Sequence, residues 1–126
     1  TTIGFEIEVD NYQKSKNLVR PEGNLTPKAN ESNSVVYERS AQVKAWVLDR
    51  ASGHCELCDN PAPFATPSGK PYLEVHHVKR LSENGSDTVE NCVALCPNCH
   101  RLLHFSSDKA IQVEQLYQKI PALTRE

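Results

Sequence analysis

Four of the five histidines and four of the five cysteines of this chain make one nested pattern between residues 55 and 104. Cys55 and Cys58 make one CxxC turn, and Cys96 and Cys99 make a second. Between them the strand-like run Leu73-Glu74-Val75 delivers His76 and His77, and the second turn is followed by His100 and His104. A CxxC turn presents two thiolates to one ion, and zinc takes four ligands in a tetrahedron. The two turns therefore predict a closed structural zinc site of Cys55, Cys58, Cys96 and Cys99. Disulfides or a redox pair do not explain why two such turns occur together with histidines. The binding energy of a closed site becomes folding energy, which a small domain with a limited core needs.

The imidazoles predict different chemistry. His100 and His104, at i and i+4, share one face of a helix and can grip one ion. His76, on the facing strand, supplies a third nitrogen. Three ligands leave positions open for water and substrate, as a catalytic metal requires. His77 points to the other side of the same strand, although twist at the strand end can turn it toward the cleft. A neutral imidazole suits a general base. With His77 taking a proton from water and a cation stabilising the added charge, the set is fitted to hydrolysis at phosphorus. Each histidine alone reads as an ordinary polar residue. The plain reading of the set is a second structural zinc site, which leaves His77 surplus. His54 fits neither site and reads as an exposed neighbour of Cys55. Cys92 reads as a small buried hydrophobe on a strand.

The elements that must position these groups can be placed in order. Tyr37 to Ser52 reads as a helix with Val43, Trp46 and Val47 at helical spacing, Trp46 anchoring the core, and Gly53 as its left-handed C-terminal cap. Residues 60–71 hold four prolines and form a loop. Tyr72 to Val78 is a strand, Lys79 to Thr88 a loop turning at Asn84-Gly85, and Asn91 to Leu95 a second strand. Pro97 suits the first position of a helix that runs through His100 to Phe105. A last helix begins near Asp108 and ends before Pro121, burying Ile111, Leu116, Tyr117 and Ile120.

The 126 residues are one domain with an excess at the N-terminus. Residues 1–34 divide from a domain at 35–126 and read as a linker or the remnant of an upstream domain. From Asn17 to Ser34 the chain is rich in Pro, Asn, Ser, Glu and Lys and buries too little to offset its ordering entropy. Within Ile3 to Val9 every second residue is apolar, as in an edge strand. A chain that starts at Thr1 without methionine reads as a fragment of something longer. No membrane span or signal peptide is visible, and CxxC pairs with histidines favour a reducing cytoplasm. The net charge of −2 argues mildly against a dedicated nucleic-acid binder. Attraction of phosphate must then be local, from a bound cation, Lys79, Arg80, Arg101 and the histidines.

The stretch from Cys55 to His104, with LEVHHVKRLSENGSDTVENCVALCPNCHRLLH at its heart, resembles HNH endonucleases of the zinc-stapled ββα-metal type. Among these it is most similar to the nuclease domains of methylation-dependent restriction enzymes. The likeness begins near VKAWVL and covers about the last two thirds of the chain. It implies an α+β, ββα-metal (His-Me finger) fold with a four-cysteine zinc site and flanking helices. It also implies a DNA endonuclease that hydrolyses phosphodiester bonds, in a restriction or phage-defence enzyme.

By the same likeness His77 is the general base and Asn91 the residue that braces the loop and orients that base. His76, His100 and His104 hold the catalytic metal, and the four cysteines hold structural zinc. Three imidazoles suit Mn²⁺, Ni²⁺, Co²⁺ or Zn²⁺ better than Mg²⁺, which stays open. The partners implied are double-stranded DNA, modified or not, and an upstream specificity domain; a homodimer is compatible with such an enzyme. Two rival readings stand beside it. One is a zinc-stabilised nucleic-acid-binding module without catalysis. The other is an HNH nuclease toxin, which the net charge disfavours.

Overall fold

A two-stranded antiparallel hairpin organises residues 35–126. In the computed structural model, which describes residues 2–16 and 18–126, β1 (Glu74–His77) pairs with β2 (Cys92–Leu95). Glu74 lies opposite Leu95, Val75 opposite Ala94, His76 opposite Val93 and His77 opposite Cys92. All four β2 residues are fully buried, so this strand is the floor of the core. Its second edge is not left bare. The Glu56 backbone N–H donates to the Ala94 carbonyl, the Ala94 N–H donates to the Glu56 carboxylate, and Arg50 donates to the Cys92 carbonyl. Arg50 and Glu56 are joined by two parallel bonds of 2.9 and 3.0 Å. A buried ion pair compensates its desolvation only when its remaining groups are satisfied. Here the backbone of β2 satisfies them and the pair closes the sheet edge.

The helices pack on this floor. α2 (Ala41–Ala51) starts where the Ser40 hydroxyl accepts the Val43 N–H, at 3.2 Å, later than the expected Tyr37. It ends with Ser52 at φ 51, so Ser52 takes the left-handed cap expected of Gly53, which follows at φ 79. Val43, Val47 and Ala51, at i, i+4 and i+8, face the core, and Val47 is fully buried. Trp46 stands about 100° round the helix from Val47 and is 63% exposed, so it is not the core anchor. α3 (Pro97–Phe105) begins at Cys96, with Pro97 in the first turn where its missing N–H costs nothing. α4 (Lys109–Lys119) buries Leu116 and, just past its end, Ile120. Ile111 faces solvent, and Tyr117 is half-buried beneath Arg125. Strand, strand, helix is the ββα order expected, with α2 and α4 flanking it.

Residues 1–34 form a second unit, Thr1–Ser34, apart from Val35–Glu126. Thr1, and Asn17 at the head of the expected linker, lie outside the described residues. α1 (Thr2–Lys14) occupies the run read as an edge strand. Alternation alone does not make a strand: no described strand lies in this unit to pair with, and a helix satisfies its backbone groups within one segment. Ile3, Phe5, Ile7 and Tyr12 remain exposed on it. No described helix is long and apolar enough to cross a membrane.

Candidate active site and metal centres

The two CxxC turns converge. The Sγ atoms of Cys55, Cys58, Cys96 and Cys99 all lie within 4.8 Å of one another. Cys58 and Cys96 are 3.9 Å apart, and all the cysteines are free thiols. Two sulfurs on one tetrahedral zinc, each bonded at about 2.3 Å, would be separated by roughly 3.8 Å, whereas a disulfide needs about 2.05 Å. The donor set fits zinc and does not fit a crosslink. The Cys99 N–H donates to Cys96 Sγ, as expected of a turn that stabilises thiolate charge. Cys55 and Cys99 are buried, and Cys58 is exposed. Burial pushes the Cys99 thiol well above its ordinary pKa, a cost that a bound cation would offset.

β1 and α3 bring three imidazoles together. The ring nitrogens of His76, His100 and His104 lie within 4.8 Å of one another, with centroids 4.9 to 5.1 Å apart. The His100 and His104 Nε2 atoms are 3.2 Å apart. Two nitrogens bonded to one ion at about 2.05 Å would sit at close to that separation. His100 Nδ1 lies 2.8 Å from Glu74 Oε1, and the other Glu74 oxygen accepts from the Tyr72 hydroxyl at 2.7 Å. A carboxylate only accepts, so Nδ1 of His100 carries the proton and its Nε2 presents a lone pair to the cluster. Burial, then the neighbouring His100 and His104, pull the pKa of His76 down to about 3. Burial and His100 also lower that of His104. These two rings are therefore neutral at neutral pH, the form that binds a metal.

His77 borders the same hollow as the three clustered histidines, together with Arg39 and Arg80. Its Nε2 is 2.9 Å from Asp87 Oδ1, and the Ser40 backbone N–H donates to Asp87 Oδ2 at 2.6 Å. Burial works to raise the Asp87 pKa, but the bonds from His77 and Ser40 outweigh it and leave it lowered. Asn91, fully buried, holds the loop that carries Asp87. Its Oδ1 accepts from the Lys79 N–H, and its Nδ2 donates to the Lys79 and Ser86 carbonyls. The same loop requires Gly85, where a Cβ would lie 1.9 Å from the Lys79 carbonyl oxygen.

Of the basic residues expected to meet DNA, Arg80 lines the hollow with the histidines. Arg101 lines an adjoining one with His100, His104 and Phe105. Lys79 is tied into the loop through its backbone. Four residues escaped the sequence reading. Glu74 was legible in principle, since it stands two positions before His76 and so shares its strand face. Asp87 lies in a loop whose path no local pattern reveals. Arg39 and Lys44, which border the clefts beside the histidines, precede the cysteine–histidine pattern altogether. His54 is exposed, and Cys92 is buried as expected, with burial raising its thiol pKa to about 11.

Comparison with known proteins bears on the same residues. A family model described as HNH endonuclease matches residues 55–106. The chain is 50% identical over 110 residues to the Type IV methyl-directed restriction enzyme EcoKMcrA of Escherichia coli (strain K12). That match covers 87% of this chain and 40% of the relative, so the chain spans about two fifths of that protein's length. Among solved structures it resembles the Type IV phosphorothioation-dependent restriction endonuclease ScoMcrA. The TM-score is 0.57 at 33% identity, over 64% of this chain and 18% of that one. Residues 55–106 of this chain thus match an HNH endonuclease domain.

Proposed function

We propose that this chain is the nuclease module of a restriction enzyme, hydrolysing phosphodiester bonds of double-stranded DNA with the aid of a divalent cation. The observation that carries this reading is His77 bordering the same hollow as the cluster of His76, His100 and His104. A binding module with two structural zinc ions has no use for a fourth imidazole held there by a carboxylate.

His76, His100 and His104 would hold the catalytic cation, which supplies Lewis-acid stabilisation of charge at phosphorus and at the departing oxygen. Imidazole donors favour Mn²⁺, Ni²⁺, Co²⁺ or Zn²⁺ over Mg²⁺. His77 accepts a proton from water as the water oxygen bonds to phosphorus. The bond from phosphorus to the 3′ oxygen then breaks, and that oxygen takes up a proton, leaving a 5′-phosphate and a 3′-hydroxyl. Asn91 braces the loop beside the base. Arg80, Arg101, Arg39 and Lys44 supply the positive field around the hollow that the net charge of −2 does not. The four cysteines would hold structural zinc, which requires them to stay reduced and suits a cytoplasmic protein.

Residues 35–126 are the proposed nuclease domain, with residues 1–34 joining it to an upstream specificity domain. These two relatives are named for methyl-directed and phosphorothioation-dependent restriction, and both are much longer than this chain. Selection of a modified target would belong to that additional length. The test is incubation of plasmid DNA with the protein across Mn²⁺, Ni²⁺, Co²⁺, Zn²⁺ and Mg²⁺, with His77→Ala as control. Cleavage by the parent that the control lacks is expected. If no ion supports cleavage, the binding-module reading takes its place.

A further inference from the structure

Asp87 has no part in the proposed chemistry so far, yet its Oδ1 lies 2.9 Å from Nε2 of the proposed base. We infer that Asp87 is a positioning residue that fixes the tautomer of His77, with the Ser40 backbone N–H fixing the orientation of Asp87 in turn. This rests on the reading of His77 as general base.

An ionised carboxylate offers acceptors and no donor. Asp87 Oδ1 at 2.9 Å from His77 Nε2 therefore requires the proton of a neutral ring to sit on Nε2. Nδ1 is the nitrogen left to serve the hollow, and it carries a lone pair, which a group taking a proton from water must have. Oδ2 accepts the Ser40 N–H at 2.6 Å, so both carboxylate oxygens are committed. Ser40 is the N-cap of α2, and its backbone is held there by the hydroxyl bond to Val43 and the carbonyl bond to Lys44. The side chain of Asp87 is about one fifth exposed, so its bonds are partly shielded from competing water. The loop behind it is tied down by the three side-chain bonds of Asn91.

This arrangement makes an unusual demand of an Asp87→Asn variant. An asparagine has one acceptor and one donor end. Facing its NH₂ to Ser40 would set donor against donor, so the amide oxygen must take the Ser40 N–H. The NH₂ then points at His77 Nε2, which must become the acceptor. The ring proton moves to Nδ1, and the lone pair facing the hollow is lost. The near-isosteric change should therefore disable the base more than Asp87→Ala, where water replaces the side chain and either tautomer is available.

The expected result is an inversion of rank. By thermal melting, Asp87→Asn should be at least as stable as Asp87→Ala, and both should keep their zinc and their affinity for duplex DNA. By single-turnover cleavage, Asp87→Asn should be slower than the parent by about a hundredfold or more, and slower than Asp87→Ala. The ¹⁵N chemical shifts of His77 should report Nε2–H in the parent and Nδ1–H in Asp87→Asn. Parent-like cleavage by Asp87→Asn, or retention of Nε2–H in that variant, would overturn the inference. Nuclear magnetic resonance does not require activity. If the parent cleaved nothing but its His77 tautomer still switched, the proposed function would fail while the role of Asp87 stood.

Discussion

The two candidate metal centres both draw donors from α3 and are built on opposite plans. At the thiolate centre all four donors come from two tight turns, so each turn brings half of the site ready made. Outside help is modest: Lys119 from α4 donates to the Leu57 carbonyl and to Asp59, holding the first turn. At the imidazole centre the donors come from a strand and a helix, and two of the four rings in and beside it are aligned by a carboxylate. Glu74 serves His100, and Asp87 serves His77. A site that only holds an ion can be written in local spacing. A site that must also leave room for substrate needs its geometry set from a distance.

If that contrast is right, damage to the thiolates should fall on the fold, and damage to the imidazoles should fall on chemistry. The largest effect is expected from Cys58→Ser. A structural zinc in a small domain contributes folding energy outright, on the order of several kcal/mol. The variant should lack a cooperative melting transition by circular dichroism and should contain less than one zinc per chain. Native-like melting with full metal content would mean that the thiolates do not hold the fold together. Next in size is His77→Ala. It should fold, keep its metals, bind DNA as the parent does, and cleave roughly two to four powers of ten more slowly. Parent-like cleavage would move the base elsewhere. Third is His104→Ala, which should keep zinc at the thiolates and weaken metal binding at the imidazoles by tenfold or more. Calorimetric titration with Mn²⁺ or Ni²⁺ reads this directly, and unchanged affinity would remove His104 as a ligand.

The same contrast explains which parts could be read from the sequence. The CxxC turns and the i, i+4 histidines are local patterns, and they fixed both clusters before any fold was known. The ββα order followed from strand-like runs, Asn84-Gly85 and Pro97, each a local signal. What was missed depends on tertiary approach. Asp87 reaches His77 across ten residues of loop, and Arg39 reaches the hollow from before α2. Trp46 and Ile111 were placed inside because apolar periodicity gives the spacing of a helix stripe but not its edges. The alternation from Ile3 to Val9 failed for a related reason. A strand needs a partner, and alternation does not supply one.

The smallest expected effect sharpens the comparison most, because it pairs with Asp87. Glu74→Gln makes the same chemical change, carboxylate to amide, at the other aligned histidine. Here the second partner is the Tyr72 hydroxyl, which can rotate from donor to acceptor. The glutamine oxygen can therefore keep the His100 Nδ1–H while its NH₂ donates to Tyr72, and the tautomer survives. Only the negative charge is lost, so metal affinity should fall by about tenfold, the low end for such supporting groups. The Tyr72 bond, then the His100 bond, hold the Glu74 carboxyl below its ordinary range. A depressed carboxylate pKa contributes stability above the unfolded value of about 4.3, and that contribution is lost as pH falls through the folded value. Glu74→Gln should thus lose that contribution near neutrality, flatten the acid end of the stability curve, and converge on the parent below the folded value. A metal affinity equal to the parent's would show that Glu74 does not support His100. A loss as deep as that of His104→Ala would show that the Tyr72 hydroxyl cannot make the exchange, and the difference between the two carboxylates would disappear.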